Sequence, residues 1–252
     1  MLTTNIAHRI DLNADLGEGS AYDTQMLALV SSANIACGGH TGDAHSMRAA
    51  LIRAKEHGVT IGAHPSFPDR ENFGRRPMQI APEDLYASLL QQVRALQNTA
   101  EELGLRLHHI KPHGALYNQA AFDPGLGDLI IDLVKTIDPD LRLMVLAASP
   151  LAKQAKSAGL HVIEEAFADR RYLGDGSLVP RTQANAVIED AELAVAQSLA
   201  IVNAHCVQTL SGETRPLYAD SLCVHGDGSQ ALHLLQTIRQ ALVAQGWEIA
   251  SD

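Results

Sequence analysis

Short apolar runs alternate with longer helical patterns along the 252-residue chain, and this alternation limits the possible folds more than any other feature. Seven of the runs have the length and composition of buried strands. They are residues 9–13, 33–37, 59–64, 107–111, 141–147, 160–166 and 221–225. Strands that alternate with helices predict parallel βαβ units, and therefore either a parallel barrel or a doubly wound sheet.

Three of the intervening segments carry clear helix signals. In residues 82–103, apolar side chains recur at steps of three and four, and Pro82 and Gly104 stand where a helix begins and ends. Residues 47–57 and 229–245 are each followed by a glycine, which suits a left-handed C-cap. Because no Pro-, Gly- or Ser-rich linker divides the chain, we expect one domain over residues 1–252.

Ionisable residues and glycines follow the apolar runs rather than precede them, in at least five of the seven cases. In a parallel barrel, the carboxyl ends of all strands meet at one face, where the loops form the active site. A doubly wound sheet would gather only the loops beside its switch point. The pattern therefore favours an α/β fold of the TIM-like (β/α) barrel type, with seven strands.

Composition excludes several classes of protein. A formal net charge of -10 argues against a surface for nucleic acid or anionic membranes. The start lacks the segments of a signal peptide, and polar side chains interrupt the uncharged stretch 193–212. The three cysteines have no CxxC spacing, which is typical of a reduced chain. We therefore expect a cytoplasmic protein with neither nucleic-acid nor membrane partners.

Four of the 12 histidines stand at or just beyond the ends of predicted strands: His40, His64, His113 and His225. A single histidine is usually an ordinary core or surface residue. Four at one edge of a sheet could supply metal ligands, a general acid or base, or hydrogen bonds to a substrate. They form no short zinc motif such as HExxH, so their spacing leaves these roles open.

Carboxylates cluster at the end of the first predicted strand. Asp11, Asn13 and Asp15 alternate at period two and so would point to one face, and Glu18 follows after Gly17. Such a group can hold a divalent cation or act as a general base. The alternative is a strand-to-loop turn, in which Asp, Asn and Gly are common for backbone reasons.

Cationic and polar side chains follow the later strands. Arg75 and Arg76 lie beside a glycine and suit a carboxylate or phosphate ligand, although a surface charge pair is the plainer explanation. The segment 111–118 places four functional side chains within eight positions, namely Lys111, His113, Tyr117 and Asn118. Asp169 follows the sixth strand, and Arg181 could face the same opening.

These motifs resemble those of the LamB/YcsF family. The matching words are DLNADLGE (11–18), NIACGGHTGD (34–43), IGAHPSFPDRENFGRR (61–76), IKPHGALYN (110–118), EEAFADRRY (164–172) and CVHGDG (223–228). They span nearly the whole chain, and long unusual words such as KPHGALYN are highly specific. The chain departs from the family pattern at the second residue of Gly38–Gly39, where a bulkier residue is expected, and this removes no candidate catalytic group.

The resemblance implies a seven-stranded barrel related to those of glycoside hydrolases and deacetylases. It also implies ATP-dependent hydrolytic opening of the lactam 5-oxoproline (pyroglutamate) to L-glutamate, by one of three subunits of a 5-oxoprolinase, together with subunits B and C. ATP could phosphorylate the amide oxygen and so form an imidate that water attacks readily. Because the sequence has no GxxxxGK[ST] loop, a nucleotide would need another kind of cradle.

The related deacetylases use an Asp/His/His metal set, and by this analogy Asp15, His40 and His64 would form the catalytic centre. They would bind a divalent metal, either Mg²⁺ with ATP or a transition metal, or Asp15 would act as the general base. Lys111 and His113 would stabilise the developing oxyanion or protonate the leaving nitrogen. The substrate-binding candidates are Asp11, Asn13, Glu18, Arg75, Arg76, Tyr117, Asn118, Asp169 and His225.

Two other functions fit the same residues. The first is a metal-dependent deacetylase or carbohydrate-active hydrolase, as the related barrels suggest. The second is a non-catalytic subunit that binds substrate while its partners carry out the phosphoryl chemistry. Fold analogy does not separate these functions, because one fold hosts many chemistries.

Overall fold

Seven parallel strands close into a barrel in the computed structural model of the chain, which describes residues 8–225 and 230–251. The strands in those residues are β1 (His8–Leu16), β2 (Ser32–Ala36), β3 (Thr60–His64), β4 (His109–Ile110), β5 (Arg142–Leu146), β6 (Val162–Phe167), β7 (Cys206–Gln208), β8 (Thr214–Pro216), β9 (Ser221–Cys223) and β10 (Trp247–Ile249). β1 to β6 pair in chain order, and β9 closes the barrel by pairing with both β6 and β1. The seven predicted strands and the TIM-like barrel are confirmed.

Helices connect the strands and pack their apolar faces against the barrel. They are α1 (Asp23–Leu27), α2 (Ala44–His57), α3 (Pro82–Glu102), α4 (Gly114–Ala120), α5 (Pro124–Ile137), α6 (Pro150–Ser157), α7 (Ala191–Ala204) and α8 (Ala231–Ala244). The predicted helices at 47–57, 82–103 and 229–245 correspond to α2, α3 and α8, although residue 229 lies outside the described residues. The same is true of positions 226–228 of the CVHGDG motif.

Two short strand pairs lie outside the seven-stranded barrel. β7 and β8 form an antiparallel hairpin, and β10 pairs in parallel with residues 8–10 at the start of β1. The uncharged stretch 193–212 forms most of α7 and the whole of β7. Across residues 8–225 and 230–251, none of the helices combines the length and apolar character needed to cross a membrane.

The start of α2 differs from the prediction because Asp43 caps it three residues earlier than the apolar pattern indicates. The Asp43 carboxylate accepts a hydrogen bond from the Ser46 backbone N–H at 2.8 Å, and the Ser46 hydroxyl accepts one from the Asp43 N–H at 2.8 Å. This reciprocal pair satisfies two amide groups that a helix N-terminus otherwise leaves unbonded. At the other end, Gly58 adopts a left-handed φ of 66°, as predicted for a C-cap.

The interior of the barrel is polar, whereas its outer face is apolar. In β1, Leu12 and Leu16 are wholly buried and belong to the apolar core, while Asp11, Asn13 and Asp15 alternate with them. The alternating side chains bond to groups from other strands across the interior. The prediction that these three residues share one face of the strand is therefore confirmed.

Candidate active site

A cavity of about 730 Å³ opens where the barrel strands end at their carboxyl termini. Its walls come from the segments after β1, β3, β4, β6 and β9, which is the arrangement expected for a parallel barrel. The predicted site residues that line it are Asp15, Glu18, His64, Arg75, Arg76, Lys111, His113, Tyr117, Asn118 and His225. Residues that are far apart in sequence therefore share one cavity.

Three of the predicted histidines meet beside Glu18. The rings of His40 and His113 stack with their centroids 3.7 Å apart, and the His64 ring stands edge-on to both. A Glu18 carboxylate oxygen lies 2.9 Å from His40 Nε2 and 3.5 Å from His113 Nδ1. Each of the four side chains offers one atom that could ligate a metal, and these four atoms all lie within 4.8 Å of one another.

The hydrogen bonds of His64 and His113 leave two ring nitrogens facing each other. His64 Nδ1–H donates to the Lys111 carbonyl at 2.7 Å, and His113 Nε2–H donates to the Phe73 carbonyl at 3.0 Å. The remaining nitrogens, His64 Nε2 and His113 Nδ1, are 2.9 Å apart. If both rings are neutral, each of these nitrogens carries a lone pair, and the two lone pairs point at each other. Burial, with the nearby His64 and His40, lowers the pKa of His113 well below its ordinary value.

This arrangement fits a divalent metal. Two opposed lone pairs need a cation or a proton between them, and three imidazoles with one carboxylate form a ligand set that zinc prefers. His40 adds a second indication, since its buried Nδ1 has no hydrogen-bond partner among the described residues. Glu18, His40, His64 and His113 are therefore the residues that could hold a metal.

The metal set predicted from the sequence shares His40 and His64 with this group and differs from it in the other members. His40 and His64 belong to it, but Asp15 does not: its carboxylate lies 2.8 Å from the ammonium group of Lys111, and it falls in a separate cluster with Cys223 and His225. One Asp15 oxygen still lies 3.3 Å from His64 Nε2, so Asp15 borders the group. Glu18 and His113 take the places for which the sequence suggested Asp15.

Asp15, Lys111 and Glu165 form a buried charge network beneath the histidines. Lys111 Nζ lies 2.8 Å from Asp15 and 2.7 Å from Glu165, and all three side chains are less than a tenth exposed. Burial opposes ionisation of Asp15, but His64 and Lys111 outweigh it and hold the pKa of Asp15 well below its ordinary value. Burial likewise opposes the charge of Lys111, yet Asp15, Cys223 and Glu165 raise the pKa of the lysine well above its ordinary value. Asp15 and Lys111 therefore both carry their charges at neutral pH.

Three interior residues outside the predicted set complete this network. The Asn34 amide donates to both Asp15 and Asn13 at 2.9 Å, and its oxygen accepts from His109 Nε2 at 2.6 Å. Glu165 accepts from Tyr117 at 2.8 Å and from Asn13 at 2.9 Å. The period-two alternation that singled out β1 also occurs in β2 and β6, and applying it there would have placed Asn34 and Glu165 inside the barrel.

Asp11 was predicted to bind substrate, and the structure corrects this. Its side chain lies at the amino end of the barrel, where it accepts hydrogen bonds from Ser31 at 2.6 Å and Ser32 at 2.7 Å, and also from Ser221. The physical reason is the length of β1, because four residues of strand separate Asp11 from Asp15 by about 13 Å. Asn13 lies between the two levels, wholly buried, and does not line the cavity.

Asp169 and His225 form a pair on another wall of the cavity. His225 Nδ1 lies 3.0 Å from both carboxylate oxygens of Asp169, and the His225 backbone N–H donates to the same carboxylate at 3.1 Å. The His225 ring lies almost parallel to that of Phe167, with the centroids 5.5 Å apart. Asp169 itself is buried and, unlike His225, does not line the cavity.

Arginines give one side of the cavity a positive charge. Arg75, Arg76 and Arg181 line it, and the Arg75 guanidinium lies 4.9 Å from the centroid of the Phe73 ring. Arg170, which is buried and bonded to two backbone carbonyls, also contributes to the lining. Burial lowers the pKa of Arg170 to about 10, and the neighbouring Arg181 adds to this effect. Such a wall suits an anionic ligand.

The fold and site define a class of protein, a TIM-like barrel with catalytic-type side chains at the carboxyl ends of its strands. The fold is similar to that of a lactam utilization protein from Thermus thermophilus, with a TM-score of 0.89 and 41% identity over 97% of this chain and 100% of the other. A putative cellobiose-phosphate cleavage protein from Enterococcus faecalis has a TM-score of 0.60 and 15% identity, with 97% of each chain covered. A family 4 carbohydrate esterase from Streptomyces lividans has a TM-score of 0.54 and 10% identity, over 97% of this chain and 92% of the other.

The chain belongs to the LamB/YcsF family, whose model matches residues 10–251. The resemblance read from the sequence motifs is thereby confirmed. The likeness to the esterase, at 10% identity, shows a shared fold alone, as expected from the predicted relation to deacetylase barrels.

Proposed function

We propose that this chain opens the ring of 5-oxoproline to give L-glutamate in an ATP-dependent reaction, as the barrel subunit of a 5-oxoprolinase with subunits B and C. Membership of the LamB/YcsF family and the 41% identity to a lactam utilization protein support a role in lactam hydrolysis. The observation that carries the proposal is the single cavity in which Asp15, the histidine group and an arginine wall meet.

The arginine wall supports a small anionic substrate. 5-Oxoproline carries one carboxylate, which Arg75, Arg76 or Arg181 would bind through charge-assisted hydrogen bonds. The cavity of about 730 Å³ is several times larger than this lactam requires, which leaves space for a phosphate on the amide oxygen. The arginines would then neutralise both groups.

ATP coupling follows from the chemistry of the lactam. A five-membered lactam is a stable amide whose amine stays tethered after hydrolysis, so the ring closes again easily. Phosphorylation of the amide oxygen yields an imidate, in which the carbon is open to attack by water. The released phosphate makes the opening effectively irreversible.

The residues of the cavity divide the remaining work. Asp15, kept ionised by Lys111 and His64, would take the proton of the attacking water. Lys111 would oppose negative charge that develops on the substrate oxygen, since its ammonium group is fixed at the floor of the cavity. A metal held by Glu18, His40, His64 and His113 would supply Lewis-acid polarisation when bound.

The test is to assay the chain with and without subunits B and C while following ADP and glutamate in the same samples. We expect glutamate to form only in the complete mixture, and Asp15→Ala and His113→Ala to abolish its formation without loss of folded structure by circular dichroism. Wild-type turnover in either variant complex would overturn the assigned roles. Absence of glutamate with every combination of subunits would overturn the proposed function.

A metal-dependent deacetylase or related hydrolase is the second candidate, and the group of three histidines and Glu18 is the observation that favours it. This function requires no ATP and no partner subunit. Hydrolysis of an N-acetylated sugar by the zinc-loaded chain alone would support it. Binding of 5-oxoproline without turnover in any mixture would instead point to a substrate-binding subunit.

A further inference from the structure

We propose that His225 donates the proton to the leaving ring nitrogen and that Asp169 positions it for this step. The proposal rests on the lactam-opening function described above. It assigns to His225 the protonation of the leaving nitrogen, for which the sequence suggested Lys111 or His113.

The hydrogen bonds of His225 fix the identity of the ring nitrogen that faces the cavity. Both Asp169 oxygens can only accept hydrogen bonds, so His225 Nδ1, which faces them, carries a hydrogen. Nε2 is therefore the ring nitrogen left for the cavity. The backbone N–H of His225 bonds to the same carboxylate and restrains the ring further. Within residues 8–225 and 230–251, no atom is hydrogen-bonded to His225 Nε2, and the ring lines the cavity with 15% of its side chain exposed.

The Asp169 oxygens lie 3.0 Å from His225 Nδ1, close enough for a charge-assisted hydrogen bond to an imidazolium. Burial opposes ionisation of Asp169, but His225 lowers the pKa of the carboxyl below its ordinary value, so Asp169 is a carboxylate at neutral pH. A protonated imidazole held by a buried carboxylate presents its second N–H to the cavity. This is the form that a general acid needs.

The other candidate donors are committed to other bonds. Lys111 lies between two carboxylates that hold its proton tightly, and a raised pKa makes it a poor acid. His113 donates Nε2–H to Phe73, and its other nitrogen faces His64. Neither residue can release a proton without breaking the arrangement that defines the site.

A proton donor decides which bond of the substrate breaks. The phosphorylated lactam keeps its N–H, and after water adds to it and gives a proton to Asp15, the carbon carries a hydroxyl, a phosphate and the ring N–H. If the C–O bond to phosphate breaks and the hydroxyl loses its proton, the lactam returns and ATP has been consumed without product. If the C–N bond breaks, its electron pair stays on nitrogen, which takes the proton from His225 Nε2.

Cleavage of the C–N bond leads to glutamate. The hydroxyl loses its proton to solvent and the carbon becomes an acyl phosphate, which a second water hydrolyses to glutamate and phosphate. His225 is left neutral and regains a proton from Asp15, since a His225 ring nitrogen and an Asp15 oxygen lie within 4.8 Å of each other. No further reactant is needed.

The experiment measures glutamate formed per ADP in the complex with subunits B and C. We expect His225→Gln to lower this ratio at least 10-fold while ADP formation continues, because the adduct then loses phosphate instead of nitrogen. Asp169→Asn, which keeps the imidazole but weakens its orientation, should give an intermediate ratio. His57→Gln, at an exposed position on α2, is the matched control and should keep the wild-type ratio.

Several outcomes would overturn the assignment. A wild-type ratio in His225→Gln would exclude it, and so would a parallel fall of ADP and glutamate that leaves the ratio unchanged. Nitrogen NMR of the chain gives a readout independent of activity, and a neutral His225 with its hydrogen on Nε2 would contradict the role of Asp169. If the wild-type complex forms no glutamate at all, the proposed function fails instead, which the NMR result does not affect.

Discussion

Asp11 and Asp15 stand four residues apart on the same face of β1, yet they lie in opposite chemical environments. Asp11, at the amino end of the barrel, is surrounded by the hydroxyl groups of Ser31, Ser32 and Ser221. Asp15, at the carboxyl end, is paired with a lysine and borders a group of histidines. Hydroxyl groups satisfy a carboxylate without lending it reactivity, whereas a cation and titratable neighbours prepare it for chemistry.

The difference teaches that the end of the barrel, rather than the residue type, decides what a carboxylate does. At the amino end, short connections join helix to strand except before β9, which follows the β7–β8 hairpin, and Ser31 also bonds to the backbone at Leu12. At the carboxyl end, the segments after five strands enclose a large cavity. The following predictions test this contrast, from the largest expected effect to the smallest.

Replacing each aspartate by asparagine should separate the two ends most strongly. We expect Asp15→Asn to reduce glutamate formation by about 10² to 10⁴-fold, the range that a general base contributes. Asp11→Asn should keep the rate within about twofold, since it lies about 13 Å from Asp15 along the strand. Initial rates in the reconstituted complex measure both. Equal losses in the two variants would contradict the assignment of the ends.

Removing the buried cation should affect stability. Lys111→Met leaves Asp15 and Glu165 facing each other without a counter-charge, and breaking such a buried pair costs roughly 3–5 kcal/mol. At the other end, Ser31→Ala removes one of the hydroxyl donors to Asp11 and should cost about 1 kcal/mol. Urea unfolding of the isolated chain compares them. A smaller loss in Lys111→Met than in Ser31→Ala would show that the charge network contributes little to folding.

Metal content should distinguish the histidines of the two ends. We expect the chain to bind zinc and His113→Asn to lose it, whereas His108→Asn, which changes a histidine just before β4, should retain it. Removal of the metal by a chelator should lower the free energy of unfolding. The expected loss is about 2.7 kcal/mol relative to a sample in which the free metal concentration is a hundred times the Kd. Elemental analysis with thermal unfolding provides both numbers. Equal metal content in the two variants would exclude the proposed ligand group.

Asp43, an exposed carboxylate at the start of α2, should give the smallest effect. Hydrogen bonds from Ser46 lower its pKa below the ordinary value of 3.8, so the folded state favours the ionised form. The stability that the Asp43 carboxylate adds to the folded state is therefore present above about pH 4 and is lost as the pH falls through the lowered pKa. Asp43→Ala should lower the melting temperature slightly near pH 6, and the difference from the wild type should shrink below pH 4. A difference that grows on acidification would contradict this sign.

Local patterns predicted the elements of the fold well. The apolar runs located every barrel strand, and Pro82 and Gly58 marked helix boundaries that the structure retains. The shortest strand was predicted over residues 107–111 but forms only at His109–Ile110. Pro112 explains one limit, since proline has no N–H to extend the ladder. Helix α2 began earlier than its apolar pattern because a cap depends on side-chain bonds rather than on periodicity.

The sequence predicted which residues lie in the candidate site, but not which of them contact each other. The four histidines and Lys111 were identified because polar groups after strands stand out against apolar runs. Their pairing was not, since the sequence linked Asp15 with His40 and His64. The structure instead groups Glu18 with His40, His64 and His113, and it pairs Asp15 with Lys111. Which ring faces which carboxylate depends on turns such as that at Gly17, whose φ of 73° redirects the chain before Glu18.

The sequence by itself determined the barrel, because hydrophobic periodicity and the placement of polar residues are local properties that each segment carries. It also predicted a candidate site at the carboxyl ends of the strands, which is where the cavity lies. Only the tertiary structure decided that Asp11 lies away from the cavity, that Glu165 balances Lys111, and that Asp169 supports His225. These are contacts between residues distant in sequence, and their energies depend on closure of the barrel, which brings the charges together and removes water from around them.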